Sequence, residues 1–255
     1  MIGAIAGDII GSRYEGSRAT SADFPLFQAN SHFTDDTVCT LAVANAILLR
    51  RDFSSELRRL CRAYPNAGYG GMFRRWVRSD DEPAYGSWGN GAPMRTSPVG
   101  WMAGSLEEVD ALAEAQAAVS HSHPDAVESA KVISRAIFLL SHGWEPEALC
   151  QEFERKNGYD LSPQGVKGRP KFDITAKGTA QTALCIALRS ASYEGAIREA
   201  VLLGGDTDTL ACIVGSVAEA RHGVPEGINS SARRRLPPDL LDILHRFEER
   251  RLISC

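Results

Sequence analysis

Residues 2–14 read IGAIAGDIIGSRY, which spaces Gly3, Gly7 and Gly11 four apart. On a helix that spacing lines the three glycines along one smooth stripe, where a second backbone can approach closely. Glycine weakens a helix, so the stripe implies tight packing rather than exposure. Outward from it, apolar residues keep recurring at three- and four-residue intervals, and neither strand alternation nor hairpin dipeptides interrupt them. The chain therefore reads as all-α. The first helix is expected from Ile2 to about Tyr14. The next is expected from an N-cap at Thr34, through Asp35 and Asp36 in its first turn, to Arg50. Ser105 and Glu108 have capping-box spacing ahead of an alanine-rich helix ending near Ser120. Pro124 opens a helix to His142, with Gly143 beyond its end. Further helices are expected at 54–63, 145–156, 178–191, 193–203, 209–222 and 239–251. Gly223 with Pro225 closes the penultimate one, and Pro237 with Pro238 precedes the last.

Two stretches resist this reading. Residues 64–98 carry ten glycines and prolines, and 157–177 are polar and glycine-rich. Long structureless segments in a compact domain are usually functional or mobile. With no composition shift, 20–50-residue repeat or low-complexity tract, one domain over residues 1–255 is expected.

The composition, 44% apolar and 24% charged over 255 residues, excludes a disordered, collagenous or coiled-coil chain. Lys and Arg total 28 against 32 Asp and Glu, a net charge of −4, so nucleic acid is not an expected partner. Six cysteines at 39, 61, 150, 185, 212 and 255 lack CxxC spacing and read as reduced core thiols. No basic signal region and no membrane-length apolar run are present, so a cytoplasmic location without membrane partners is expected.

Chemistry concentrates in two acidic clusters, Thr34-Asp35-Asp36-Thr37 and Gly204-Gly205-Asp206-Thr207-Asp208-Thr209, each opening a helix. Capping accounts for the first by itself. In the second, two aspartates two apart repel unless a cation or partner sits between them. Carboxylates flanked by hydroxyls, without His or Cys nearby, are hard oxygen donors suited to Mg²⁺ or Mn²⁺. If the two helix starts meet, two ions can share them, holding substrate oxygens and acidifying water. Glu15 is either a surface residue or a spare carboxylate for general-base or metal work. The loops Gly68-Tyr69-Gly70-Gly71 and Ser87-Trp88-Gly89-Asn90-Gly91 are either ordinary turns or backbone cradles for a diphosphate, with Trp88 able to stack on a base. In Ser120-His121-Ser122-His123-Pro124, capping or substrate-facing histidines fit better than metal ligands. No nucleophile motif surrounds any serine or cysteine.

These residues give the chain its resemblance to the ADP-ribosylglycohydrolase family. The matching stretches are GAIAGDIIGSRYEG at 3–16, FTDDT at 33–37, GYGGMFRRW at 68–76, SWGNGAPMR at 87–95, SHSHP at 120–124 and GGDTDTLACIVGSVAEARHG at 204–223. The resemblance implies a compact orthogonal helical bundle with two Mg²⁺ or Mn²⁺ ions in a cleft. It implies Thr34, Asp35, Asp36, Asp206, Asp208 and Thr209 as metal ligands, with Asp208 touching both ions. It further implies Glu15, with Asp35 and Asp36, at the catalytic centre, Gly68, Tyr69 and Gly70 near a diphosphate, Ser87, Trp88, Gly89, Asn90 and Gly91 beneath it, and His121 near the adenosine. The implied substrate is an ADP-ribosylated protein or small molecule. The chain is shorter than many members, and Trp88 stands where several have tyrosine. Two rival readings remain at this level: a non-catalytic ADP-ribose-binding module, and a two-metal nucleotide phosphohydrolase.

Overall fold

The computed structural model describes residues 1–167 and 172–254; Cys255 and part of the unplaced 157–177 stretch lie outside the described residues. Fifteen α-helices and one 3₁₀ turn occur among the described residues, and no strand. They are α1 Ile2–Gly11, α2 Asp35–Leu49, α3 Phe53–Ala63, α4 Gly71–Arg78, α5 Gly91–Met94, α6 Ser97–Met102, α7 Leu106–Ala118, α8 Pro124–Ser141, α9 Pro146–Asn157, α10 Pro163–Lys167, α11 Ala176–Arg189, α12 Tyr193–Leu203, α13 Thr207–His222, α14 Glu226–Arg233 and α15 Pro238–Ser254.

The glycine stripe of α1 lies along α13. A Cβ built on Gly3 would stand 2.5 Å from the Gly215 carbonyl oxygen, and on Gly7 or Gly11 closer still to the carbonyls of Ala211 and Thr207. Only hydrogen fits there, so the two backbones touch. α1 is buried along its whole length. α13 in turn packs against α8, α11 and α12, while α3 and α15 pack on α2. The contact fixes the start of α13, with its acidic cluster, beside the exit of α1.

Several elements differ from the sequence-based expectation. The first α-helix ends at Gly11, and Ser12–Tyr14 tighten into a 3₁₀ turn. The tightening lets the chain leave the helix axis so that Gly16 N–H donates to the Gly205 carbonyl at 2.8 Å. Residues 64–98 hold three helices rather than an irregular loop. Their breakers stand at helix starts: Gly70 and Asn90 at N-cap positions, Pro98 in the first turn of α6. α4 buries Phe73, Trp76 and Val77, an amphipathic spacing that the surrounding glycines mask. α10 and α14 were also unforeseen, and α11 and α13 each begin two residues early. The caps at Thr34 and Ser105 form as expected, accepting from Asp36 N–H and Glu108 N–H. Cys39, Cys61, Cys150, Cys185 and Cys212 are free and buried. No helix among the described residues is long and apolar enough to cross a membrane.

Candidate active site

The N-termini of α2 and α13 converge. Across 173 residues of sequence, Thr209 Oγ1 donates to Asp36 Oδ2 at 3.2 Å. Carboxylate oxygens of Asp8, Asp36 and Asp208 lie within 4.8 Å of one another, as do those of Glu15, Asp206 and Asp208. Asp208 belongs to both groups. Two backbone bonds hold the second group in register, Gly16 N–H to Gly205 O at 2.8 Å and Gly205 N–H to Ser17 O at 3.2 Å. Gly204 and Gly205 have φ of +82° and +93°, a region that L side chains avoid. Asn90 Nδ2 reaches over from the second glycine loop to donate to Asp206 Oδ2 at 2.6 Å.

Burial and mutual repulsion raise these carboxyls. Burial, then the charges of Asp206, Asp8 and Glu15, push Asp208 up to about 9. Burial and the nearby Asp8 push Asp35 up to about 7. Asp36 is raised well above the ordinary range, by burial and then by Asp208. Asp36 Oδ1 and Asp208 Oδ1 are buried without a hydrogen-bond partner among the described residues. Clustered carboxylates in low dielectric, with free lone pairs, are the condition that a divalent cation satisfies. The all-oxygen donor set suits a hard divalent cation.

Asp8 was not among the residues singled out from sequence. It is fully buried in α1 and caps α2 from outside that helix. Thr34 N–H and Oγ1 donate to it at 2.9 and 2.7 Å, Thr37 N–H at 3.1 Å, and Thr37 Oγ1 also donates. These bonds satisfy part of the buried Asp8 carboxylate and fix Thr34, whose hydroxyl also lies 3.3 Å from Asp36 Oδ2, beside the cluster. The sequence signal was a lone acid in an otherwise apolar helix, since a buried charge requires partners. Asp8→Asn would point an amide N–H₂ at donors. It is expected to lower unfolding free energy by about 2–4 kcal/mol in urea titration and to weaken Mn²⁺ binding roughly 10- to 100-fold by calorimetry. Unchanged values for both would overturn its orienting role.

A cavity of about 390 Å³ runs from this cluster. Glu15, Thr34, Asp35, Asp206, Asp208 and Thr209 line it, Asp36 lies beneath, and Gly68, Gly70, Ser87, Gly89, Asn90, Gly91 and His121 line the rest. Gly68 has φ +110°, and Asp35 N–H donates to the neighbouring Ala67 carbonyl at 2.7 Å, tying this loop to α2. Gly70 caps α4 without a side-chain bond, and Gly71, Met72 and Phe73 of the first turn of α4 line the cavity. Burial, then the Arg95 charge, hold His121 well below the ordinary imidazole range, so it is neutral at pH 7. His123 instead caps α8.

Besides Asp36, two expected residues do not line the cavity. Tyr69 is buried beside Phe73, their ring centroids 5.7 Å apart. Trp88 is 49% exposed, and its carbonyl accepts from Ala176 N–H at 2.9 Å. Beside that bond Asn90 N–H donates to Ile174 O at 2.9 Å, so 172–176 walls the cavity with Phe172 and Ile174. Arg95, Asn66, His32 and Met94 also line it and carried no sequence signal of their own.

A family profile described as ADP-ribosylglycohydrolase matches residues 1–253. The chain is 25% identical to mouse (Mus musculus) ADP-ribosylhydrolase ARH3, covering 98% of this chain and 91% of that protein. It is 26% identical to the ADP-ribosyl-[dinitrogen reductase] glycohydrolase of Rhodospirillum rubrum, covering 76% and 70% respectively. A solved structure titled ADP-ribosylglycohydrolase-related protein complex superposes with a TM-score of 0.75 at 22% identity, over 98% of this chain and 97% of that one.

Proposed function

We propose, because this chain belongs to the ADP-ribosylglycohydrolase family, that it is a divalent-metal-dependent hydrolase releasing ADP-ribose from a modified side chain or small molecule. The observation that carries the reading is the meeting of the α2 and α13 N-termini, with Asp208 shared between two carboxylate groups at one end of a glycine-lined cavity. Thr34, Asp35, Asp36, Asp206, Asp208 and Thr209 are the residues to hold Mg²⁺ or Mn²⁺. Two such ions, when bound, supply positive charge that orients vicinal ribose hydroxyls and acidifies water.

The chain's own groups do the rest. Cleavage at an anomeric carbon passes through an oxocarbenium-like state, which the surrounding carboxylates stabilise by their negative charge. Glu15, exposed at the cavity edge, takes the proton from the attacking water and returns one to the leaving group. The Gly68–Gly71 loop and the start of α4 offer backbone N–H groups to the diphosphate. His121, Phe172 and Ile174 bound the adenosine end. Trp88, outside the lining, is left a peripheral contact.

The test incubates the protein with ADP-ribosylated arginine and serine peptides and Mg²⁺, with and without chelator, and identifies products by chromatography. Free ADP-ribose, lost on chelation, is expected. AMP or phosphate would instead mark a phosphohydrolase, and binding without any release a non-catalytic module. Glu15→Gln is expected to lower kcat by roughly 10²- to 10⁴-fold with ADP-ribose affinity kept within about threefold; normal turnover would remove Glu15 from this role.

A further inference from the structure

The cavity is electrically lopsided. Glu15, Asp35, Asp206 and Asp208 crowd one end, and the only Lys or Arg lining it among the described residues is Arg95. Arg95 is 0% exposed. Its hydrogen bonds go to neutral acceptors: Nε donates to Gln116 Oε1 at 2.8 Å, and one terminal nitrogen donates to Gln116 O at 2.7 Å and Ser120 Oγ at 2.9 Å. The other terminal nitrogen, Nη1, is buried with no partner. The Phe73 ring lies 5.7 Å from the guanidinium carbon. Among the described residues no carboxylate contacts Arg95. Burying a guanidinium without a counter-ion costs several kcal/mol by general electrostatics. A neutral side chain would fill the space without that penalty, so the charge itself calls for an anion.

We infer that Arg95 is a specificity-determining residue whose buried positive charge selects the anionic linker of the ligand and orients it away from the acidic end. The inference rests on the ADP-ribosyl reading above, and it names the group that rewards a negatively charged ligand over a neutral one. The backbone cradle of the glycine loops supplies dipoles; Arg95 supplies the full charge. Ser120 links it to the cavity wall, since Ser120 Oγ and His121 Nδ1 are 2.8 Å apart, and the same positive field helps to keep His121 neutral. A ligand entering in reverse would set its diphosphate among carboxylates and leave Arg95 without compensation. At an effective dielectric near 20, a unit charge several ångströms from a phosphate is worth enough to dominate this choice.

The test compares ADP-ribose with adenosine, which lacks the linker, by calorimetry in Mg²⁺ buffer for wild type, Arg95→Gln and Arg95→Lys, with circular dichroism to verify folding. Arg95→Gln is expected to weaken ADP-ribose about 10- to 100-fold while adenosine changes by less than about threefold. Arg95→Lys keeps the charge but not the hydrogen bonds to Gln116 and Ser120, and is expected to retain the preference for ADP-ribose. Should Arg95→Gln fail to fold, Arg95→Lys decides: a folded Lys variant that keeps the preference for ADP-ribose supports the inference, and one that loses it, with the charge still present, overturns it. Equal weakening of both ligands in the folded variant makes Arg95 a structural brace and overturns the inference while leaving the proposed function in place. A wild type that binds no ADP-ribose overturns the proposed function, and the inference with it.

Discussion

Asp208→Asn is expected to reduce ADP-ribose release by roughly a thousandfold or more, about 4 kcal/mol of transition-state stabilisation, yet to raise the melting temperature of the metal-free protein. Both effects come from one carboxylate. It sits in each of the two acidic groups, so the substitution removes a carboxylate from both. Without a cation the same group is a liability, because burial and neighbouring charges push it up to about 9. A carboxyl raised in the folded state contributes stability that is present below its unfolded value, near 4, and is lost as pH rises through the folded value. At pH 8 in chelator the wild type therefore carries a penalty that the amide does not. The variant should melt several degrees higher there, at about 2–4 °C per kcal/mol, with the gap closing towards pH 5. Saturating Mn²⁺ should reverse the order, since binding to the folded state alone contributes about 2.7 kcal/mol at a hundred times Kd. Scanning fluorimetry at both pH values, with chelator and with Mn²⁺, checks all four conditions. A variant that melts lower than wild type in chelator at pH 8 would refute the repulsion argument.

Gly7→Ala is the change expected to damage the fold most for its size. One methyl group would have to occupy the contact with the Ala211 carbonyl, where α1 and α13 touch backbone to backbone. Neither neighbour is a flexible side chain, so the helices must separate along their length. A destabilisation above about 3 kcal/mol is expected, at or beyond the upper range for an overpacked core, with melting lowered by roughly 6–12 °C. Divalent affinity should fall too, because the register of α13 beside α1 sets where Asp206 and Asp208 stand. Gly227→Ala, in α14 with nothing near its missing Cβ, is the control and should be close to neutral. Equal behaviour of the two variants would show that the stripe is not a close-packed contact.

The clusters at Thr34–Thr37 and Asp206–Thr209 were legible because hydroxyls and acids at helix starts are local signals. The close packing at Gly3, Gly7 and Gly11 was legible because spacing alone reports a stripe. The helices in 64–98 were hidden for a physical reason: glycine and proline both break helices and begin them, and only the tertiary partners of Phe73 and Trp76 decide which. A lone acid in an apolar helix signals that Asp8 needs partners, but which ones is decided only when Thr34 and Thr37 reach it from the start of α2.

Sequence by itself determined the all-helical class, the two acidic clusters at helix starts and the glycine loops, each a matter of residue type and spacing within one turn or one helix. Which carboxylates share a neighbourhood and that Asp208 stands in two groups were decided by the packing of α1 on α13, whereas the places of Trp88, Tyr69 and Arg95 were decided by other contacts, with Ala176, with Phe73, and with Gln116 and Ser120. Periodicity encodes a helix face; distance between residues 173 apart in the chain depends on how many such faces fit together at once.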